Sequence, residues 1–346
     1  MKKFIISLFI FFFIVFSLFG IAYLNFSEII RHPLKITSSI VVHVKTGDNL
    51  YSVLKNLNSN GEVGNMSVIK LYIKNNNLNT NIKPGTYSFS KDISLKQLIS
   101  DLNKGNVDTD FILVTIPEGY TIEKIADKLA EKGILDKTTF LEDCQKYILP
   151  PSIKPIPNRK YALEGYMFPD SYELKKGMTG QVIIKKMLDR FDQVVAGLEK
   201  DNNLIFEQDK IDNIVTLASI VEGEAIVKDE RSVIAGVFNN RLKSGMKLQS
   251  CATVEYILGV HKLVLSYKDI AIISPYNTYL NTGLPVGPIG NPGKASLLAA
   301  MKPETTKYLY FVAKFDGSNS HFFSENLSLH NQAVKVSEAN RKKNGY

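Results

Sequence analysis

The hydrophobic pattern changes character several times along the chain. From Phe4 to Phe26 there is no charged residue, and the apolar core of that run, Phe4 to Leu24, predicts a helix of roughly 31 Å, long enough to cross a bilayer. A cleavable signal would have a shorter apolar region closed by a small-x-small site, and Gly20-Ile21-Ala22 imitates one poorly. The expectation is a retained anchor at 4–24 behind a short tip at 1–3. Lys2 and Lys3 keep that tip in the cytoplasm and place the remainder outside it. A polar connector at 25–40 follows.

Beyond the connector the pattern repeats. "VKTGDNLYSVLKNLNSNGEV" (44–63) lies on "IPEGYTIEKIADKLAEKGIL" (116–135), with Gly47 on Gly119 and Gly61 on Gly133. Between the glycines, Leu50, Val53, Leu54 and Leu57 match Ile122, Ile125, Ala126 and Leu129, the spacing of one helical face. Each copy therefore predicts strand, turn and helix. Two readings fit: an ordinary β-turn-α unit, or a small ββαβ-type module resembling LysM, a fold with which wall proteins hold glycan chains, completed by 82–106. The boundaries that follow are a LysM-like module at 41–108 and a second repeat-like subdomain with connecting helices at 109–205.

"YALEGYMFPDSYEL" (161–174) gathers aromatic and acidic residues on a segment that Pro169 keeps from being one helix. It suits a carbohydrate cleft and a packed junction equally. A polar helix is expected over about 180–202. In the catalytic core expected at 206–346, Ile214, Leu217, Ala218 and Val221 share a helical face over Ile211 to Val221. Glu222 continues that helix, and Glu224 follows about 200° further round, so the two carboxylates point apart. A second helix is expected from Asp229 to Leu242, burying Ile234, Val237, Phe238 and Leu242 and ending at Gly245. The stretch 274–303 is rich in glycine and proline, and "YLYFVAK" (308–314) reads as a strand.

Composition narrows the chemistry. The net charge of +8, from 42 basic and 34 acidic residues, is spread along the chain without a basic run, so no nucleic-acid partner is indicated. Cys144 and Cys251 have no zinc or CxxC spacing and make at most one disulfide. "GPIGNPGKA" (287–295) fails as a phosphate loop, because five residues separate Gly287 from Gly293 and Ala295 replaces the Ser/Thr that would hold magnesium. His321 and His330 lack zincin spacing, which leaves them as cleft or core hydrogen-bonders. Neither a metal nor a cofactor is expected.

"LEGYMFPDSY", "LASIVEGEA", "ERSVIAGVFNNRL", "GMKLQS", "TVEYILG", "SPYNTYLNTGLPVGPIGNPGKASLLAA", "YLYFVA" and "HNQAV", in this order, resemble the MltG (YceG-like) endolytic murein transglycosylases over nearly the whole chain. The resemblance implies an α+β fold with a single N-terminal transmembrane helix, a LysM-like module and a YceG-type catalytic domain. It implies a single-pass inner-membrane protein that cleaves nascent glycan strands internally and leaves a 1,6-anhydro-N-acetylmuramoyl end. The partners would be peptidoglycan strands, the membrane and peptidoglycan synthases. It also transfers the catalytic role of the first glutamate of I-V-E-x-E onto Glu222.

One carboxylate is enough for such chemistry, since the sugar's own 6-hydroxyl is the nucleophile. Glu222 would protonate the leaving oxygen and then accept the proton of that hydroxyl, and burial beside Ile220 and Val221 would favour its protonated form. The substrate-binding candidates are Glu224, Gln249, Thr253, Asn277, Tyr279, His330 and Asn331, which offer amides, hydroxyls and an aromatic face to N-acetyl sugars. The sequence departs from the family where Cys251-Ala252 replaces the usual Asp-Pro and Val286 the second proline of G-L-P-P-G. Two other functions fit the same residues: a two-carboxylate glycoside hydrolase with Glu164 or Asp170 partnering Glu222, and a wall-binding module without turnover.

Overall fold

The computed structural model describes residues 2–36, 39–105, 111–204 and 210–345; for most of 2–19 it describes the backbone alone. The predicted boundaries at 108 and 205, and part of the connector, lie outside the described residues. The chain divides into two compact units, Met1–Phe111 and Ile112–Tyr346.

The first unit opens with α1 (Lys2–Arg31). Among the described residues no helix is long and apolar enough to cross a membrane. Then come β1 (Ser39–Val44), α2 (Leu50–Ser59), α3 (Met66–Asn75), β2 (Gly85–Ser90) and α4 (Leu95–Lys104). β1 and β2 pair antiparallel, Ile40 opposite Phe89 and Val42 opposite Tyr87. Alternation sends Val42, Val44, Tyr87 and Phe89 to the same interior as the helices' apolar faces. The ββαβ order expected from sequence is thus corrected to β-α-α-β-α. The second helix forms because Asn65 caps it and because Ile69 and Ile73, four residues apart, share its buried face.

The second unit contains two further two-stranded sheets, β3 (Phe111–Thr115) with β4 (Ser171–Lys175), and β5 (Tyr310–Ala313) with β6 (His321–Ser324). Its helices are α5 (Ile122–Glu131), α6 (Lys137–Lys146), α7 (Gly180–Asn202), α8 (Ile211–Glu224), α9 (Arg231–Lys243), α10 (Cys251–Leu258), the single turn α11 (Tyr267–Ile270), α12 (Lys294–Met301) and α13 (Leu327–Asn344). Both repeat copies are strand, turn and helix, and all eight aligned apolar residues are buried. Gly47 and Gly119 both have positive φ in the turn.

Two helices differ from expectation. α7 is amphipathic rather than polar, because Ile183, Ile184, Met187, Phe191 and Leu198 recur at helical spacing on one side and enter the core. α8 is buried on nearly every side from Val215 to Val221, since α12 and α10 cover the faces that a surface helix would leave wet, while Ile214 is only half-buried. α12 packs on both α8 and α9, so its N-terminus meets the C-terminal turn of α8. The functional residues gather there.

Candidate active site

Glu222 ends the buried stretch of α8 with its side chain 8% exposed. Its Oε2 accepts the backbone N–H of Gly293, the N-cap of α12, at 2.9 Å, and its Oε1 accepts Nη2 of Arg231 at 3.2 Å. Arg231 is itself buried and donates Nε to Ser296 Oγ at 3.0 Å. Beside the buried Ile220 and Val221, the carboxylate has two donors that hold it in one orientation.

The turn before α5 brings in a second acid. Glu118 lies over Gly293 so closely that a Cβ built there would be 1.9 Å from its Oε1. Partial burial, and then the charge of Glu222, push the Glu118 carboxyl up from its ordinary range, against the pull of Arg231 and Lys228. The backbone is fixed by Gly119 N–H to Asn291 O at 2.8 Å and Asn291 N–H to Tyr120 O at 2.9 Å. Gly290 crosses the same turn, where a Cβ would be 2.8 Å from Gly119 O, so only glycine permits the approach.

Asn291 completes the frame. Fully buried, it donates Nδ2 to Tyr120 O and to Glu164 Oε1, and accepts the Met167 N–H on Oδ1. Glu164 also accepts the Ile122 N–H at 3.1 Å and the Tyr256 hydroxyl at 3.1 Å. This corrects the idea of Glu164 as a reacting partner of Glu222: its oxygens are used inside the protein, and it is 1% exposed. Asp170 is likewise engaged, by Arg190 Nε at 2.6 Å and by the Ser171 N–H.

Burial pushes Glu164 up to about 8, with the hydrogen bonds from Ile122 and Tyr256 opposing. A carboxyl whose folded-state value exceeds its unfolded value near 4.5 contributes stability in full below that value and loses it as pH rises towards 8. Glu164→Gln, which keeps the acceptor oxygen and stays neutral, is therefore expected to gain in melting temperature over the wild type steadily from pH 5 to pH 8. A difference that stays flat across this window would show Glu164 ionised inside the fold.

Glu224 faces another way, as the helical spacing required. It accepts Ser250 Oγ and the Ala252 N–H, and so ties the end of α8 to the start of α10. The departure at Cys251-Ala252 acquires a consequence here, because a proline at 252 would have no N–H to give Glu224. Burial raises the Glu224 carboxyl, while those two hydrogen bonds and His321 lower it.

Gln249, Thr253, Asn277 and Tyr279 do come together around this clamp, through Gln249 N–H to Thr278 O and Thr253 Oγ1 to Thr278 Oγ1. Two of them are corrected as substrate ligands. Thr253 is fully buried and donates to Ser250 O, and Asn277 is fully buried and donates to the carbonyls of Ile270 and Ile272. Gln249 is exposed with φ of 51°, and Tyr279 is half-buried with its hydroxyl 3.2 Å from Cys251 Sγ. His330 stacks on Tyr310 at 5.0 Å, burial holds its ring below the ordinary histidine range, and Asn331 is exposed on α13. His321 is a core hydrogen-bonder, its Nδ1 2.7 Å from Glu230. The two cysteines are free, Cys144 buried and Cys251 exposed.

A cavity of about 470 Å³ opens beside the carboxylates. Gly119 and Gly223, the chain neighbours of Glu118 and Glu222, line it, and Glu123, Lys124, Glu255 and His261 give it a polar wall. Neither Glu118 nor Glu222 is itself part of the lining; they stand at its edge.

Fold and site together define a mixed α+β protein built to hold acidic groups beside a polar cleft. The YceG-like family model matches residues 42–336, and the chain belongs to that family. It is 32% identical over 321 residues to the endolytic murein transglycosylase of Bacillus subtilis, covering 88% of this chain and 87% of that one. The endolytic murein transglycosylase of Streptococcus pneumoniae is 29% identical over 85% of this chain, which spans only 58% of the streptococcal protein. A 2.6 Å crystal structure of a yceG-like protein from Listeria monocytogenes superposes with a TM-score of 0.57 at 33% identity, covering 85% of this chain and 98% of that one.

Proposed function

We propose that this protein is a peptidoglycan lytic transglycosylase, a lyase that cuts the β-1,4 bond between N-acetylmuramoyl and N-acetylglucosaminyl residues within nascent strands, leaves a 1,6-anhydro end and thereby ends strand growth. One observation carries the reading: in a member of this family, the glutamate of I-V-E-x-E is held at the edge of a polar cavity by Arg231 and the Gly293 N–H. The reaction needs one proton delivered to the leaving oxygen and one removed from the 6-hydroxyl, and a carboxylate such as Glu222 can do both in turn. The polar wall beside Gly119 and Gly223 suits the hydroxyl and amide groups of a glycan.

The same proposal includes the anchor and the first unit. The uncharged run at 4–24 after two lysines supports a single pass with the catalytic unit outside the inner membrane, near nascent strands and the synthases that make them. The β-α-α-β-α unit serves as the LysM-like module that holds the glycan while the second unit cuts it.

One experiment tests the whole reading. Full-length protein should fractionate with the inner membrane and, given purified murein in ¹⁸O-water, should release unlabelled ends lighter by one water, as mass spectrometry would show. Label at the new end would mean hydrolysis. Glycan binding without any product would leave a wall-binding protein, and a soluble form beginning near residue 23 would remove the anchor.

A further inference from the structure

We propose that Glu118 is a second reacting carboxylate of this site, giving its proton to the leaving oxygen while Glu222 takes the proton of the 6-hydroxyl. The inference rests on the transglycosylase reading and divides between two residues the proton transfers that one glutamate would otherwise perform alone.

The geometry argues for the pair. Glu118 and Glu222 flank a single residue, Gly293: one accepts its N–H at 2.9 Å, and the other occupies the space where its side chain would be. The Glu118 turn is fastened at Gly119 and Tyr120 to Asn291, two residues before Gly293, so its position is set by backbone and not by a loose loop. The acid also has a clear origin in the repeat. The first copy carries Thr46 where the second carries Glu118, so at this position of the turn only the copy that meets Glu222 has a carboxyl.

The surroundings separate the two roles. Glu222 is nearly sealed, its two oxygens held by the Arg231 guanidinium and the Gly293 N–H, so it stays fixed in one orientation. Glu118 is exposed and, among the described residues, forms no hydrogen bond or ion pair. The charged groups facing it are Glu222, Arg231 and Lys228. Two carboxylates around one site resist being ionised together. Partial burial and the negative charge of Glu222 both act on Glu118 in that direction.

The step balances. The bond from C1 to the leaving O4 breaks, and O4 takes the Glu118 proton. The 6-hydroxyl oxygen bonds to C1 as its proton passes to Glu222. No water, metal or electron carrier enters, and the products are the 1,6-anhydro end and a free 4-hydroxyl. The carboxyls have then exchanged protonation states, and solvent at the exposed Glu118 restores them.

The test separates acid catalysis from mere bracing of Gly293. Glu118→Gln should cut murein turnover by about 10²–10⁴-fold. It should stay within several-fold of wild type on a 4-nitrophenyl glycoside of an N-acetylmuramoyl oligosaccharide, whose leaving group needs no proton. The alkaline limb of the kcat profile on murein should also disappear, and Glu118→Asp should restore part of the murein rate. Equal losses on both substrates, or a wild-type murein rate, would overturn the assignment. Should Glu118→Gln fold poorly, Gly293→Ala gives a second route: it keeps the N–H for Glu222 while its methyl takes the place of Glu118 Oε1, and the same substrate split is expected. Unlabelled anhydro ends from the wild type together with a fully active Glu118→Gln would remove Glu118 alone, whereas ¹⁸O-labelled ends would remove the transglycosylase reading itself.

Discussion

Glu222→Gln is expected to lower murein turnover by at least about 10²–10⁴-fold while the protein stays folded, because an amide of the same size neither gives nor accepts a proton at neutral pH. Its oxygen still receives the Gly293 N–H, so the junction of α8 with α12 survives. Arg231 loses its counter-charge, and a modest drop in melting temperature should accompany the kinetic loss. The activated nitrophenyl substrate should not rescue this variant, since the 6-hydroxyl still needs a base. Glu224→Gln should behave in the opposite way. Its partners are Ser250 and Ala252 of the α10 start, so the effect should fall on stability and spare most of the turnover. A Glu224→Gln protein of normal stability with the larger kinetic defect would reassign the chemistry to the α10 clamp.

The second large effect lies away from the cleft. Asp212, in the first turn of α8, pairs with Arg159 Nη2 and accepts the Tyr166 hydroxyl at 2.8 Å, while Arg159 donates Nε to Val286 O at 2.8 Å. The Arg159 side chain is only 2% exposed, and among the described residues its Nη1 has no hydrogen-bond partner. Asp212→Ala would leave a desolvated guanidinium without a counter-charge, and breaking a buried pair from one side costs about 3–5 kcal/mol. Urea unfolding should show that loss. Replacing both members, Arg159→Met with Asp212→Leu, should recover much of it because neither charge then has to be desolvated. A shift below about 0.5 kcal/mol for Asp212→Ala would mean that water reaches the pair after all.

The local part of this structure was legible in the sequence. The repeat placed eight buried side chains and two turn glycines in register, since a helical face and a positive-φ turn are each specified within a few residues. The divergence of Glu222 and Glu224 followed from helical spacing in the same way. What escaped depends on contacts across the chain. Glu118 looked like any acid in a turn, although its replacement of Thr46 between the copies was a visible signal, and nothing beside Asn291 or Arg231 in the sequence shows what each holds. Thr253 and Asn277 read as sugar ligands because a polar side chain that satisfies buried carbonyls has the same local signature as one that faces a cleft.

The fastening of the Glu118 turn to Asn291 spans 171 residues of sequence. It makes the reactive centre a late product of biosynthesis. A nascent chain that has emerged only through α8 already carries both glutamates, but Gly293, Ser296 and the loop that anchors Glu118 are still to be made. Domains fold as their residues become available. A polypeptide stalled or clipped anywhere before α12 therefore carries acidic side chains and no assembled site, so the site is completed only in a nearly finished molecule.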